Sequence, residues 1–231
     1  MKNKVYGYFS IICYVVSFLI LLFCMNIKLI PNFYLNTQGR LVLLSIVCVL
    51  ICLSGYILVN KLNYTKKILR VNLIIYFLLY TVTIFSLTLF EEIYGRQGLI
   101  IIDWDKNLLE NYLTHSFNLK PFHTIHLFTQ GYMNGLVSFE NFSINIIGNL
   151  TAFMPYGLFL PLIFKSMRKY YKFLLTMILI VVVIELLQFV TMSGSCDIDD
   201  LILNVLGASI IYFISKIKII NRLINKIFLF E

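Results

Sequence analysis

The sequence has little charge: Asp, Glu, Lys and Arg make up 13% of its 231 residues, against roughly 25% in soluble domains. It has only 4 prolines and 11 glycines, too few for a collagen-like or low-complexity chain. Its 5 cysteines are too sparse to indicate a disulfide scaffold. A hydrophobic content of 60% excludes disorder. Together these shortages exclude an ordinary soluble domain and leave a membrane protein.

Six apolar runs are long enough to be considered as helices across a bilayer core of about 30 Å, which takes around 20 residues. They cover residues 6–25, 41–59, 71–90, 142–164, 173–191 and the shorter 201–215. The sequence therefore predicts an all-α fold, a polytopic membrane helix bundle of six transmembrane helices. No linker separates domains, so residues 1–231 are expected to form a single integral membrane domain.

The basic residues predict the orientation of these spans. Fourteen of the nineteen Lys and Arg residues lie before the first span, in the second and fourth connections and in the C-terminal tail, whereas five lie in the first and third connections. Cytoplasmic loops carry the excess of Lys and Arg, so both termini are expected in the cytoplasm. The net charge of +8 is then a result of topology, and no nucleic-acid partner is implied.

The third connection, 91–141, is the only sizeable segment between spans. Apolar residues recur at helical spacing in two parts of it, around Tyr112 and around Leu127. We expect 91–141 to be an outer interfacial segment whose helices lie on the membrane surface.

Polar side chains occur within the fourth and fifth spans, where they are costly. Glu185 is the only ionisable residue inside a span, and Gln188 follows on the same helical face. Asn145 and Asn149 share a face of the fourth span, at the predicted depth of Glu185. Two readings stay open for Glu185: a functional group, or a protonated carboxyl that bonds Asn149 across the helices.

Three aspartates, Asp197, Asp199 and Asp200, crowd the start of the sixth span, with Asn204 one turn further on. The 3/4 spacing predicts that Asp197, Asp200 and Asn204 share one face. One explanation is an N-cap with first-turn acids that complement the helix dipole. Because like charges within a turn repel, a bound divalent cation or a basic partner is the alternative.

Four motifs in order resemble the VanZ-like family of bacterial membrane proteins. They are NLKPF from Asn118, Asn145 and Asn149 with FMPYG from Phe153, ELLQ from Glu185, and DIDDLILN from Asp197. The resemblance covers a core at about 70–215. Many members carry an arginine where this chain has Gly194, and an apolar residue where it has Lys120. Lys120 is therefore a candidate to supply the missing base.

The resemblance implies a multi-pass protein of the bacterial cytoplasmic membrane, in a family named for a member that lowers susceptibility to teicoplanin-type glycopeptides. The expected partner is a membrane lipid or a lipid-linked envelope precursor bound at the outer face. Two alternatives stay open: a metal-dependent enzyme on a lipid-linked phosphate, with the three aspartates as metal ligands, and a small proton- or ion-coupled transporter. The sequence decides neither an enzymatic role nor catalytic residues. The candidate ligand-binding residues are Asp197, Asp199, Asp200, Asn204, Glu185, Gln188, Asn145, Asn149, Asn118 and Lys120.

Overall fold

The apolar stretches of membrane length all form helices. A computed structural model describes residues 2–26, 37–64, 67–89, 106–191 and 194–228. Six helical stretches in this part of the chain are long and apolar enough to cross a membrane: Asn3–Cys24, Gly39–Asn60, Lys67–Leu89, Phe139–Ile163, Tyr170–Thr191 and Ile198–Lys216. The prediction of an all-α protein with six spans is confirmed. The cytoplasmic placement of the termini stays a prediction.

The chain divides into two compact units, one of Met1–Leu78 with Asn225–Glu231 and one of Leu79–Ile224. The single integral membrane domain and the core at 70–215 stay predictions.

The first unit contains helices α1 (Lys2–Asn26), α2 (Thr37–Asn60) and the first half of α3 (Lys67–Leu89). Small polar side chains join them. The hydroxyls of Ser10 and Ser54 lie 2.5 Å apart, and the Asn72 amide donates to the carbonyl of Ile51 while its oxygen accepts from Tyr14. Such interhelical hydrogen bonds are typical of helices packed in lipid.

The second unit begins with the rest of α3 and two short helices, α4 (Lys106–His115) and α5 (His123–Met133). Strand β1 (Phe117–Asn118) lies between α4 and α5 and pairs in parallel with β2 (Cys196–Asp197). The helical content expected of 91–141 is thus present in its described part. Residues 90–105 lie outside the described residues.

The fourth span is interrupted. It consists of α6 (Phe139–Phe142), a π-helix (Ser143–Gly148), α7 (Asn149–Ala152) and, after a turn, α8 (Tyr156–Ile163). Pro155 stands directly before α8, since its ring cannot continue the preceding helix. The carbonyl of Ala152 at this break accepts a 2.5 Å hydrogen bond from Tyr80, as a freed backbone group in a membrane requires.

Helices α9 (Tyr170–Thr191) and α10 (Ile198–Lys216) form the fifth and sixth spans. A 3-10 turn (Lys165–Arg168) precedes α9, and α11 (Lys218–Phe228) follows α10. At one end of the pair, the rings of Phe173 and Tyr212 stack with centroids 4.6 Å apart, and the Tyr212 hydroxyl donates to the carbonyl of Arg168 over 2.5 Å.

Two glycines bring the fourth and sixth spans into backbone contact. A Cβ added to Gly157 would collide with the carbonyl of Ala208 and lie 2.7 Å from the nitrogen of Tyr212. A Cβ at Gly207 would collide with the carbonyl of Leu150. Gly157 and Gly207 therefore permit an approach that any other residue would prevent, as small residues do between membrane helices.

Candidate functional site

The polar residues of the second unit converge where α9 ends and α10 begins. The short β1–β2 pairing places Asn118 beside Asp197. Helix α7 brings Asn149 to Asp200, and α9 brings Glu185 to the backbone of Asp197. We call Glu185, Asp197, Asp199 and Asp200 the acid cluster. It joins four parts of the chain that the sequence separates widely.

Asp197 caps α10 and fastens it to the segment around β1. Its Oδ1 accepts from the backbone N–H of Asp199 over 2.9 Å and from the Asn118 amide over 3.0 Å. Its Oδ2 accepts from the Thr124 hydroxyl over 2.5 Å. The side chain is buried, and both of its oxygens are bonded within the protein. The N-cap expected near Asp197 is confirmed.

Asp199 is fully buried and accepts two backbone hydrogen bonds from the start of α5. Its oxygens take the N–H of Phe122 over 2.5 Å and the N–H of Ile125 over 3.1 Å. The first N–H groups of a helix have no partner within it, and the helix dipole favours a negative charge there. A carboxylate on α10 thus completes the first turn of α5. Phe122, the residue directly before α5, has a φ of 65°.

Asp200 and Glu185 bind other elements. The Asn149 amide donates to Asp200 Oδ1, linking α7 to α10. The N–H of Asp197 donates to Glu185 Oε2 over 3.1 Å, linking α9 to β2. One of the two readings of Glu185 made Asn149 its partner, but the Asn149 amide donates instead to Asp200 and to the carbonyl of Asn145. Asp197 also leaves the face that it was predicted to share with Asp200 and Asn204, since its extended backbone turns its side chain toward β1.

Asn204 differs from its neighbours. It is 5% exposed, and its Oδ1 has no hydrogen-bond partner among the described residues. Asp200 precedes it by one turn and Gly207 follows three residues later, so Asn204 lies on the side of α10 that meets α7. A buried amide oxygen without a donor is rare enough in proteins to need an explanation.

The remaining candidates lie at the edge of the cluster. The Gln188 amide donates to the carbonyl of Thr88 over 2.9 Å, and the Asn145 amide to the carbonyl of Asn141 over 2.8 Å. Lys120 is exposed, and its backbone N–H donates to Asn118 Oδ1 over 3.0 Å. Their role in binding a ligand stays a prediction.

Sequence reasoning missed several groups that complete the cluster. Thr124 and the backbone N–H groups of Phe122 and Ile125 carry no pattern that points to a carboxylate more than seventy residues away. The Tyr112 hydroxyl donates to the carbonyl of Gly194 over 2.7 Å, and its ring packs on Phe189. Tyr112 was identified only as part of an amphipathic stretch.

The negative charge of the acid cluster affects the pKa of Cys196, which lies in β2 outside the spans. Burial, together with the negative charges of Glu185, Asp197 and Asp200, raises the pKa of the Cys196 thiol to about 11. Desolvation is the larger of these causes. We therefore expect the pKa of this thiol to respond to a change in the charge of the acid cluster.

The three aspartates do not form a shared set of ligands for a cation in this arrangement. The three carboxylates point to different elements, and the described ranges contain no group of three or more His, Cys, Asp or Glu side chains placed to hold a metal ion. Each carboxylate accepts hydrogen bonds from its own protein donors, and these offset the repulsion between the three charges that had suggested a cation.

The fold and the cluster define a six-span membrane protein with a buried polar centre at one end of its last three spans. The VanZ/LLP1 family model matches residues 77–220, a range that holds every residue of that centre. The chain therefore belongs to the VanZ/LLP1 family. It is 27% identical over 155 residues to Protein VanZ of Enterococcus faecium, covering 66% of this chain and 80% of that protein. No solved structure matches it.

Proposed function

We propose that this protein acts at the outer face of the bacterial cytoplasmic membrane. There it would lower susceptibility to teicoplanin-type glycopeptides by binding a lipid head group or a lipid-linked envelope precursor. The observation that carries the proposal is that polar residues from all four motifs, Asn118, Asn149, Glu185 and Asp197 with Asp200, meet at one end of a single compact unit. The resemblance of the chain to Protein VanZ supports the direction of the effect.

The charge distribution supports the outer placement. Nine of the eleven Asp and Glu residues fall in segments that the excess of Lys and Arg assigns to the outside, including the three aspartates of the cluster. Glycopeptides act on wall precursors outside the membrane, so a protein working at that surface meets the drug and its target together.

We assign two roles to different residues: some hold the structure of the site together, and another contacts the ligand. Asp197 and Asp199 accept hydrogen bonds that hold β1 and α5 in place. The Oδ1 of Asn204, by contrast, has no hydrogen-bond partner in the part of the chain that the structure describes. A hydroxyl or N–H group of a polar ligand would satisfy its Oδ1, and this makes Asn204 the residue on which ligand binding depends most directly.

Drug susceptibility tests the proposal. The full chain, carrying a C-terminal tag, is expressed in a teicoplanin-susceptible Gram-positive host. The minimal inhibitory concentration of teicoplanin should rise relative to the empty vector, with that of a β-lactam unchanged. Asn204→Leu should return it to the vector value at equal abundance in the membrane. The matched control Asn60→Leu, at an exposed asparagine outside the family region, should keep the wild-type value.

Two outcomes would overturn the proposal. One is a wild-type chain, present in the membrane, that leaves teicoplanin susceptibility unchanged. The other is a C-terminal fusion to a reporter that functions only after export and proves active, because the acid cluster would then face the cytoplasm.

A further inference from the structure

The acid cluster lies deeper in the membrane than a surface loop allows. Helix α9 has 22 residues, about 33 Å at a rise of 1.5 Å per residue, which just crosses a hydrocarbon core of about 30 Å. Its N-terminal end follows the basic residues Lys165, Arg168 and Lys169, so Thr191 marks the opposite boundary. Glu185 lies about 9 Å short of Thr191 along the axis. The cluster is therefore inside one leaflet.

The fourth span leads to the same depth. Asn149 bonds Asp200, and the helical segments before Asn149 run back to Phe139, about 15 Å further along the axis. Helix α10 runs parallel to the fourth span, since Asn149 meets Asp200 and Gly157 meets Tyr212. The fourth and fifth spans thus continue past the first residue of α10, and α10 itself does not extend into the rest of that leaflet.

Strand β1 and α5 occupy that depth. Phe117 and Asn118 pair with Cys196 and Asp197, and α5 starts on the carboxylate of Asp199. The chain therefore descends from α4 to the level of the cluster and returns through α5. The aromatic contact of Tyr112 with Phe189, between Glu185 and Thr191, places α4 on the way down.

The outward surface of this segment carries large apolar side chains beside the exposed polar side chains of His123, His126, Gln130, Asn134 and Ser138. Residues 121–139 contain no Asp, Glu, Lys or Arg. Six large apolar side chains are exposed between Leu119 and Phe139, from 42% to 83%: Leu119, Phe122, Leu127, Tyr132, Met133 and Leu136. Phe139, Ile144 and Ile147 of the fourth span are exposed in the same range. Patches of this kind on a soluble surface mark a partner or a membrane.

The hydrogen bonds of the backbone in this segment are also consistent with a position inside the leaflet. Lipid offers no hydrogen bonds, so irregular backbone at membrane depth needs partners within the protein. The carbonyl of Ser116 accepts from Cys196, the N–H of Lys120 donates to Asn118, and the N–H of Phe122 donates to Asp199. Lys120, beside the deepest point, has a long aliphatic stem that lets its ammonium reach the head groups.

From this geometry we propose that residues 117–139 are a re-entrant segment, inserted into the leaflet at the cluster end, with acyl chains covering its apolar surface. The buried carboxylates then have a physical reason: they supply the hydrogen-bond acceptors that water supplies to an ordinary loop. The depth follows from helix lengths and contacts, and it is the same whichever side of the membrane the cluster faces. The inference is thus independent of the proposed glycopeptide function.

Tryptophan fluorescence in vesicles tests the insertion. Trp104 is the single tryptophan, so Trp104→Phe provides a silent background. Phe122→Trp and Leu127→Trp are introduced separately into the full chain and reconstituted in phosphatidylcholine with brominated acyl chains. Leu179→Trp, at a 63% exposed site of α9, is the lipid-facing control, and Tyr64→Trp, in the 61–64 turn, is the water-facing control.

Both test probes should behave like Leu179→Trp: the same fractional loss of fluorescence in brominated lipid as that control, and the same protection from aqueous acrylamide. Bromine near the chain end should quench Phe122→Trp more than Phe139→Trp, since Phe122 lies deeper. Using several positions protects the test from one variant that does not fold.

Acrylamide quenching equal to that of Tyr64→Trp would show a water-exposed loop and overturn the proposal. Protection from both acrylamide and bromine would also overturn it, because the apolar surface would then be covered by protein, such as a second copy of the chain.

Discussion

At one end of the α9–α10 pair, Tyr170, Phe173 and Tyr212 pack ring against ring. At the other end, Glu185 and the aspartates accept hydrogen bonds from backbone and amide groups. The aromatic end gains from dispersion, from ring geometry and from the Lys216 ammonium, which lies 5.0 Å from the centre of the Tyr212 ring. The carboxylate end carries a desolvation penalty that only a full set of donors offsets. One end therefore tolerates small changes, while the other depends on each partner.

The largest effect is expected from Asp199→Ala. The substitution removes the acceptor of the Phe122 and Ile125 N–H groups, and hydrogen bonds to a charged group contribute roughly 1.5–3 kcal/mol each. We expect the free energy of unfolding, measured by SDS titration in mixed micelles, to fall by about 3 kcal/mol or more.

Asp199→Asn serves as the control for shape, since it keeps one acceptor oxygen and should lose less than the alanine variant. If Asp199→Ala cost under about 1 kcal/mol, the carboxylate would not be holding α5.

A smaller effect is expected at the aromatic end. Tyr212→Phe removes the hydrogen bond to the carbonyl of Arg168 but keeps the stack on Phe173. The same unfolding assay should show a loss of about 1 kcal/mol, the net worth of one neutral hydrogen bond. A loss as large as that of Asp199→Ala would remove the contrast between the two ends.

Asn204→Leu should change stability in the opposite direction. Its Oδ1 is buried and has no partner among the described residues, so an apolar side chain of similar size relieves an unsatisfied group. We expect a gain of up to about 1 kcal/mol in unfolding free energy together with loss of the susceptibility phenotype. A stable variant that retains full function would argue against Asn204 as a ligand contact.

The smallest effect concerns the reactivity of Cys196. Thiolate is the reacting form, so a pKa of about 11 means that alkylation should keep accelerating well above pH 9. In a chain whose other four cysteines are replaced by serine, Glu185→Gln should shift the rate profile to lower pH by removing one neighbouring charge. A profile that levels off near pH 9 in both proteins would show that Cys196 does not sense the cluster.

The six spans could be predicted because the length of an apolar run is a local property of the sequence. The cap at Asp197 was predictable for the same reason, since three acids before an apolar run mark a helix start. The partners of those acids were not predictable. Strand β1 has two residues, too short for any periodicity, and Asn149 meets Asp200 only because α7 and α10 pack together. The depth of a residue along a span can be inferred by counting residues in the sequence. The neighbour that its side chain faces depends on how the helices pack.

The contact at Gly157 and Gly207 has a consequence for access. Where the backbones of α7 and α8 touch α10 at these two glycines, neither a lipid tail nor a water molecule has room between them. The fourth and sixth spans should then shift as one rigid body, with no gate opening along their seam. Any molecule that reaches Asn204, one turn before Gly207, therefore has to approach it from the acid-cluster side of that contact.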